Sequence, residues 1–415
     1  MASPLRPSAP APFSVRSFRF QWPADLATSW AFEMENLILG WYILSATGSV
    51  EQLVLFAALA WLGSVFSPFF GLVGDRIGFR ALLCATRAGY ALLAATLAVL
   101  SLTDSLRPWH AFAIAALAGL VRPSDMVMRN VLVAHTIRPE WLIGALGISR
   151  TTSDTAKIAG ALAGTGTVAL VGMGPAYLGV TAMYAAAFLL SLGVAGPPRH
   201  AFATTPMEAL ASLKQAVRYI WNTPEQLAAF SIAFLVNLLA FPFFLGLLPY
   251  VARDVYDIGQ AGLGYLAAAF ATGALFGSLV VGASRLARRA GRVMLVGAAA
   301  WFIAILLFGQ TRSLGLALAL LFASGCLQSI CLTPLAAVML RSASGEMRGR
   351  VMGMRTLAVW GLPAGLVLAG PSIEHVGYAG TTLIYAGLGL AATIAIGYAW
   401  RRALWHRSAA ANSGF

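Results

Sequence analysis

Gly71-Leu72-Val73-Gly74-Asp75-Arg76-Ile77-Gly78-Phe79-Arg80 is a short, charged, glycine-rich turn set between two long apolar runs. Apolar runs of about 20 residues are long enough to cross the hydrocarbon core of a bilayer. A tight basic turn joining two of them is the expected form of a cytoplasmic hairpin, because Lys and Arg are retained on that side. Read this way, the flanking runs are membrane helices and not the core of a soluble domain.

The rest of the chain agrees. Of its 415 residues, 59% are hydrophobic and 10% charged, against about 25% charged in an ordinary soluble domain. The mean hydropathy is +0.78. A net charge of +13 would suggest nucleic acid in a soluble protein, so the placement of the cations decides its meaning. Twelve spans are predicted, at 24–46, 52–73, 82–102, 109–135, 144–169, 175–195, 224–252, 261–283, 293–311, 315–340, 351–375 and 380–400. An even count puts both termini on one side. Assigned to that side are 21 of the 28 Lys and Arg, Arg87 among them, whereas the opposite loops hold Arg107, Arg253 and Arg312. The expectation is an all-α integral membrane protein of twelve transmembrane helices in two six-helix bundles. It is multi-pass in a bacterial-type cytoplasmic (inner) membrane, with both termini cytoplasmic. Basic residues at every second loop, rather than on one surface, argue against a nucleic-acid partner.

The longest break in hydrophobicity divides the chain. Residues 1–23 form a Pro- and Arg-rich cytoplasmic tail without a signal-peptide core, expected to be disordered. Residues 24–195 form the first bundle, 196–223 a cytoplasmic linker, 224–400 the second bundle and 401–415 a C-terminal tail. In the linker, Met207, Leu210, Leu213, Val217 and Ile220 recur at helical spacing among Glu208, Lys214 and Arg218. That pattern predicts an amphipathic helix on the inner membrane face. The loop Ser284 to Arg292, rich in Arg but without an aspartate, holds the position in the second half that residues 74–80 hold in the first. Paired six-helix halves are a common transporter plan.

The spacing Gly-x-x-x-Asp-Arg-x-Gly-x-Arg at residues 71–80 resembles the loop between helices 2 and 3 of the major facilitator superfamily. Trp41-Tyr42 followed by Thr47-Gly48-Ser49, Pro123, the run Arg218 to Glu225, and Glu346-Met347-Arg348-Gly349-Arg350-Val351-Met352 resemble the branch of macrolide-efflux proteins and the enterobactin exporter. The resemblance implies a monomeric carrier whose halves rock about a midplane site, and export driven by proton antiport. Two features depart from the pattern. The Gly-Pro pair common in span 5 of exporters is replaced by Lys157-Ile158-Ala159-Gly160-Ala161-Leu162-Ala163-Gly164, and span 1 carries Glu33 and Glu35 where neutral residues are usual.

An acidic residue is not needed to anchor a loop by positive charge. Asp75, with Arg76 and Arg80, is therefore read as a gate, a bistable contact differing by a few kcal/mol between states. Glu346, Arg348 and Arg350 are its expected partners. Ionisable residues inside a membrane are expensive and functional by default. Glu33 and Glu35 lie in span 1, Arg122, Asp125 and Arg129 in span 4, and Arg150, Asp154 and Lys157 in span 5, four carboxylates against four cations. At about 1.5 Å of rise per residue, Asp125 and Asp154 lie roughly 15 Å from the inner end of their spans, near the midplane, flanked by cations.

Glu33, Glu35, Asp125 and Asp154 are thus the candidates for taking a coupling proton. Glu33 or Glu35 is preferred, because a carboxylate without a cation on its own helix exchanges a proton more readily near neutral pH. The alternative for spans 4 and 5 is a structural ion-pair network. Arg122, Arg150 and Lys157 are candidates for an anionic substrate group, and Asn237, Phe241, Gln328 and Trp360 for an apolar one. Gly160 and Gly164, four apart, suit close helix packing. Pro242, Pro249, Pro334 and Pro363 are expected to bend their helices.

Scattered His residues, three separated Cys residues and the lack of a phosphate-cradling loop argue against metal sites, cofactors and enzymatic chemistry. The expectation is a secondary carrier exporting a small amphipathic compound (a drug, siderophore or secondary metabolite) in exchange for protons. Its other partners would be membrane lipids. The rivals are an importer or facilitator of an anionic metabolite, and a non-transporting membrane receptor or assembly factor on a carrier fold.

Overall fold

The computed structural model describes residues 11–66, 73–74, 76–196, 206–283, 289–344 and 347–405, and no strand occurs among them. The principal helices are α1 (Arg16–Thr47), α2 (Val50–Leu59), α3 (Phe79–Leu102), α4 (Pro108–Thr136), α5 (Pro139–Val171), α6 (Met173–Ser191), α7 (Pro206–Asn222), α8 (Pro224–Leu239), α9 (Gln260–Ala283), α10 (Ala290–Gln310), α11 (Leu314–Arg341), α12 (Arg348–Leu357) and α13 (Gly361–Ala399). Local sequence explains most boundaries. Pro108, Pro139 and Pro224 open their helices at the first position, where a missing N–H costs nothing. Ser49 caps α2 by accepting from the Gln52 amide at 3.3 Å. Gly172 (φ 83°) lets the chain reverse between α5 and α6, and Gly377 (φ 73°) breaks α13 in two, a left-handed conformation that other residues adopt at a cost.

Seven described helical stretches are long and apolar enough to cross a membrane, at Phe79–Leu102, Pro108–Thr136, Met173–Ser191, Gln260–Val281, Ala290–Gln310, Leu314–Arg341 and Arg350–Ala399. The last of these contains the Gly377 break and so covers two expected spans. With 32 and 33 residues, α1 and α5 are long enough but too polar, since they carry Asp25, Glu33 and Glu35, and Arg150, Asp154 and Lys157. The expected span 7 is interrupted: after α8 come short turns Pro242–Leu245 and Leu248–Tyr250 and a π-turn Val251–Val255. Pro242 and Pro249 stand at the starts of the short turns, as the bend expected there requires.

The described residues group into two compact units, one drawn from Met1–Tyr42 and Leu62–Ala209 and the other from Ile43–Trp61 and Leu210–Phe415. In the first unit α1 begins at Arg16, well before the expected start at 24. Residues 11–22 were expected in a disordered arm, but they pack. Phe18 is buried against Val133, Ile137 and Ala145, and Trp22 donates to Thr152 Oγ1 at 2.8 Å. The apolar side chains Phe13, Phe18 and Trp22 stabilise this start by sheltering behind α4 and α5.

α1 and α5 approach closely through the expected glycine pair. A Cβ on Gly160 would lie 2.8 Å from Glu33 Cβ, and one on Gly164 2.8 Å from Met34 Cα.

In the second unit the same device recurs. A Cβ on Gly273 would meet the Phe322 carbonyl and one on Gly277 the Cys326 carbonyl, so α9 and α11 touch backbone to backbone. Such small-residue seams replace the hydrophobic drive that is absent between helices in lipid. α2 packs in this unit, where Gly370 of α13 comes against Glu51 and Val54; the sequence reading had counted residues 43–61 with the first six spans. The outward faces carry Leu92, Leu170, Leu279, Val296, Leu368 and Ile394 exposed. An apolar exterior of this kind suits a hydrocarbon solvent.

Candidate functional site

Among the described residues, the first unit contains three groups of ionisable side chains, each drawn from several helices. One is a quartet of two aspartates and two arginines. Asp25 of α1, Arg87 of α3, and Asp125 of α4 are buried, with Arg87 fully enclosed. Arg87 donates through Nη2 to Asp25 Oδ1 and lies 3.2 Å through Nε from Asp125 Oδ1. Arg129, one turn beyond Asp125 on α4, reaches Asp125 Oδ2 at 2.5 Å and Asp25 Oδ1 at 3.5 Å. Hydroxyls complete the set: Arg87 Nη1 donates to Ser191 Oγ at 2.7 Å and Arg129 Nη1 to Ser29 Oγ at 3.0 Å. The charges balance, which is what makes burial of four ions tolerable.

This corrects the sequence reading of Arg87. It was counted among the cations of the cytoplasmic side, yet it stands inside α3 and ties α1, α3 and α4 together. Asp25 was not singled out at all. Its signal was present in the sequence, as a carboxylate one residue inside the first predicted span, but its partner lies 62 positions away and no periodicity joins them.

The second group surrounds Glu35. Tyr184 of α6 donates its hydroxyl to Glu35 Oε2 at 2.9 Å, and the Tyr90 ring of α3 lies 5.4 Å from the Tyr184 ring. The Tyr90 and Tyr177 hydroxyls are buried beside this pair without a hydrogen-bond partner among the described residues. Glu35 therefore faces α3 and α6. No ion pair among the described residues includes it.

Glu33, two residues earlier, faces elsewhere, as a turn of about 200° requires. It lies against Gly160 of α5, and Lys157, Arg122 and Asp154 are the charges that act on it. This is the third group, on α1, α4 and α5. Arg122 of α4 places its guanidinium 3.3 Å from the Phe32 ring centroid, a cation–π contact. Asp154 is buried, and receives Arg150 Nε at 3.1 Å and Lys157 Nζ at 3.3 Å. The arginine and lysine tails themselves are well exposed, at 71% and 41%. Two carboxylates here meet three cations, so the group carries an excess of positive charge that reaches open surface.

The four carboxylates proposed from sequence are thus divided. Asp125 is enclosed in the quartet, Glu35 among tyrosines, and Glu33 and Asp154 share the third group. Arg150, Lys157 and Arg122 also belong to that group.

The second-unit candidates do not gather in the same way. Asn237 Nδ2 returns to the Ala233 carbonyl of its own helix at 2.8 Å. Phe241 is buried edge-on to Trp301 at 5.2 Å, next to the Phe244–Phe270 stack at 4.2 Å. These rings form an aromatic core. Gln328 and Trp360 are half-buried, with the Trp360 indole N–H among the buried donors lacking a partner in the described residues.

Of the gate residues, Asp75, Glu346 and the Arg348 side chain lie outside the described residues. Arg76 is exposed, Arg80 donates to the Leu192 carbonyl, and Arg350 Nη1 donates to Gln215 Oε1 at 2.6 Å. No group of His, Cys, Asp and Glu able to hold a metal ion occurs among the described residues.

Comparison with known proteins bears on the frame that carries these groups. The family model of the Major Facilitator Superfamily matches residues 25–368. The fold is similar to that of the nucleoside transporter NupG in a mutant form, with TM-score 0.73 at 14% identity over 94% of this chain and 100% of that one. It is similar to the human organic anion transporter MFSD10 (TETRAN), with TM-score 0.64 at 17% identity over 92% and 99%. It is also similar to a D-xylose-proton symporter, with TM-score 0.71 at 12% identity over 91% and 96%. Among curated proteins, none matches the sequence. The chain belongs to the Major Facilitator Superfamily, and is a multi-pass membrane transporter of that type.

Proposed function

From membership of that superfamily as premise, we propose that this protein is a secondary carrier that exports a small amphipathic compound in exchange for protons, by alternating access. Twelve spans, with both termini cytoplasmic in a bacterial-type inner membrane and the chain acting as a monomer, complete the reading. The observation that carries it is the third group, where Glu33 and Asp154 lie together with Arg122, Arg150 and Lys157 on α1, α4 and α5. Intramembrane charges facing cations of their own unit are the usual material of ion and substrate pathways.

In this reading Glu33 takes the coupling proton. Its neighbours Lys157 and Arg122 change partner as it does so, and Asp154 holds Lys157 in reach. Asp125 and Glu35 are positioning groups, held in the quartet and by Tyr184. A buried Asp125 already matched by two arginines has little reason to release or accept a proton in each cycle. Asp75, Arg76, Arg80, Glu346, Arg348 and Arg350 form the gate in this proposal, and Asn237, Phe241, Gln328 and Trp360 of the second unit are its candidates for the apolar part of the substrate. The motif resemblance of Trp41-Tyr42, Thr47-Gly48-Ser49 and Glu346 to Met352 to macrolide-efflux proteins and the enterobactin exporter motivates the export direction.

A second reading has one specific support. The excess cation of the third group would hold an anionic substrate group, and MFSD10 is an organic anion transporter. The protein would then import or exchange an anionic metabolite.

Vesicles reconstituted with the purified chain and loaded with the pH dye pyranine separate the two. Ethidium serves as the amphipathic cation and fluorescein as the organic anion. An antiporter moves ethidium when a pH step is imposed, and added ethidium dissipates the step. Glu33→Gln should abolish both effects. Fluorescein flux that ignores the pH step and survives Glu33→Gln would overturn proton-coupled export in favour of the second reading. A receptor or assembly factor would move neither dye.

A further inference from the structure

Two apolar residues of the helix α7 turn toward the protein. Ala216 and Ile220 are buried in the second unit. Tyr219 donates its hydroxyl to the Ser342 carbonyl at 3.0 Å, and Gln215 accepts from Arg350 at 2.6 Å. Of the apolar residues that the sequence sets on the amphipathic face of this helix, Ile220 is buried against the second unit and Val217 is exposed, while the side chains of Met207, Leu210 and Leu213 lie outside the described residues.

Among the described residues, one exposed stripe of this helix combines cations with apolar side chains. Lys214, Val217, Arg218 and Trp221 are spaced at three, four and seven residues from Lys214, the spacing of one helix face, and all four are exposed. Trp221 is 72% exposed and Val217 46%. A tryptophan and a valine beside two cations is a poor surface to offer to water alone. It is the combination that suits a bilayer interface, where indole rings settle at headgroup depth and cations meet lipid phosphate. The neighbouring end of the second unit has the same charge. Arg289, Arg341, Arg350, Arg401 and Arg402 are exposed around the ends of α10, α11, α12 and α13.

We infer that the outward face of α7 is a binding site for anionic phospholipid headgroups, with Lys214 and Arg218 on the phosphate and Trp221 inserted at headgroup depth. The inference is independent of substrate and coupling ion, so it stands or falls separately from the transport reading.

The test uses the full chain in phosphatidylcholine vesicles with an increasing fraction of phosphatidylglycerol, either lipid being brominated near the headgroup. The Trp221 share of the emission is the difference between the wild type and Trp221→Phe. That share should be quenched more strongly by brominated phosphatidylglycerol than by brominated phosphatidylcholine. In the double variant Lys214→Gln/Arg218→Gln, half-maximal quenching should move to a clearly higher phosphatidylglycerol fraction or out of the titrated range, since loss of two interfacial cations lowers affinity about thirtyfold. Equal quenching by the two lipids, or no shift in the double variant, would overturn the inference. So would a response of the Trp221 emission to inorganic phosphate in pure phosphatidylcholine vesicles matching that to phosphatidylglycerol, which would assign the cations to a soluble anion.

Discussion

At the scale of the residue, Arg87 is the most consequential side chain in the first unit. It is fully enclosed and serves two carboxylates on two helices. Removing one partner of a buried ion pair leaves the other charge uncompensated, at a cost of about 3–5 kcal/mol. Arg87→Gln should therefore lower the thermal unfolding temperature of the detergent-solubilised protein markedly. Asp25→Asn in the same chain should restore much of it, because the quartet is then balanced again. The measurement is a double-mutant cycle by thermal unfolding. Additive losses in the double variant would show that Asp25 and Arg87 do not act as a pair. Glu35 differs from these residues in being held by a phenol hydroxyl and not by a cation. Tyr184→Phe should cost about 1–3 kcal/mol in the same unfolding assay, since it strips a buried carboxyl of its hydrogen bond.

At the scale of the element, glycine decides which helices can close on one another. On α5, Gly164 lies where a Cβ would approach Met34 Cα to 2.8 Å, while Gly166, two residues on, has nothing within 4 Å. Gly164→Ala must push α1 away and should cost about 1–3 kcal/mol, in the range of overpacked sites. Gly166→Ala meets no neighbour and should be neutral or stabilising by up to about 1 kcal/mol through helix propensity. Unfolding of the two variants side by side checks the contrast. Equal destabilisation by both would refute the α1–α5 seam. The seam also matters to the site, since a Cβ on Gly160 would meet Glu33 Cβ. Spacing of these helices therefore sets how near Glu33 comes to Lys157.

At the scale of the whole molecule, the alternation of basic and neutral loops makes a topological prediction. In a chain whose Cys84, Cys326 and Cys331 are replaced by serine, Thr103→Cys, in the loop after α3, should react with an impermeant maleimide from outside intact cells. Arg401→Cys, after α13, should react only once the membrane is opened. Labelling of both from the same side would overturn the span count, because the two positions are separated by an odd number of predicted crossings.

From the sequence alone, the chain already specified its solvent and its helical class. Those properties depend on composition and on distances along the chain, and apolar runs long enough to cross a bilayer leave few alternatives. Contacts within one helix were equally legible: Asp125 with Arg129, and Asp154 with Arg150 and Lys157, follow from a turn of 3.6 residues. That Gly160 and Gly164 serve a close helix contact was legible for a related reason, since two small residues four apart leave a groove on one helix face, but that the partner is α1 was not. Only the tertiary structure decided that Arg87 is buried against α1 and α4, that Asp25 joins it, that Glu33 and Glu35 serve different neighbours, and that Ile220 of α7 is buried in the second unit. Each of these depends on which helix stands beside which. That is settled by packing between residues far apart in the chain, on which no local spacing bears.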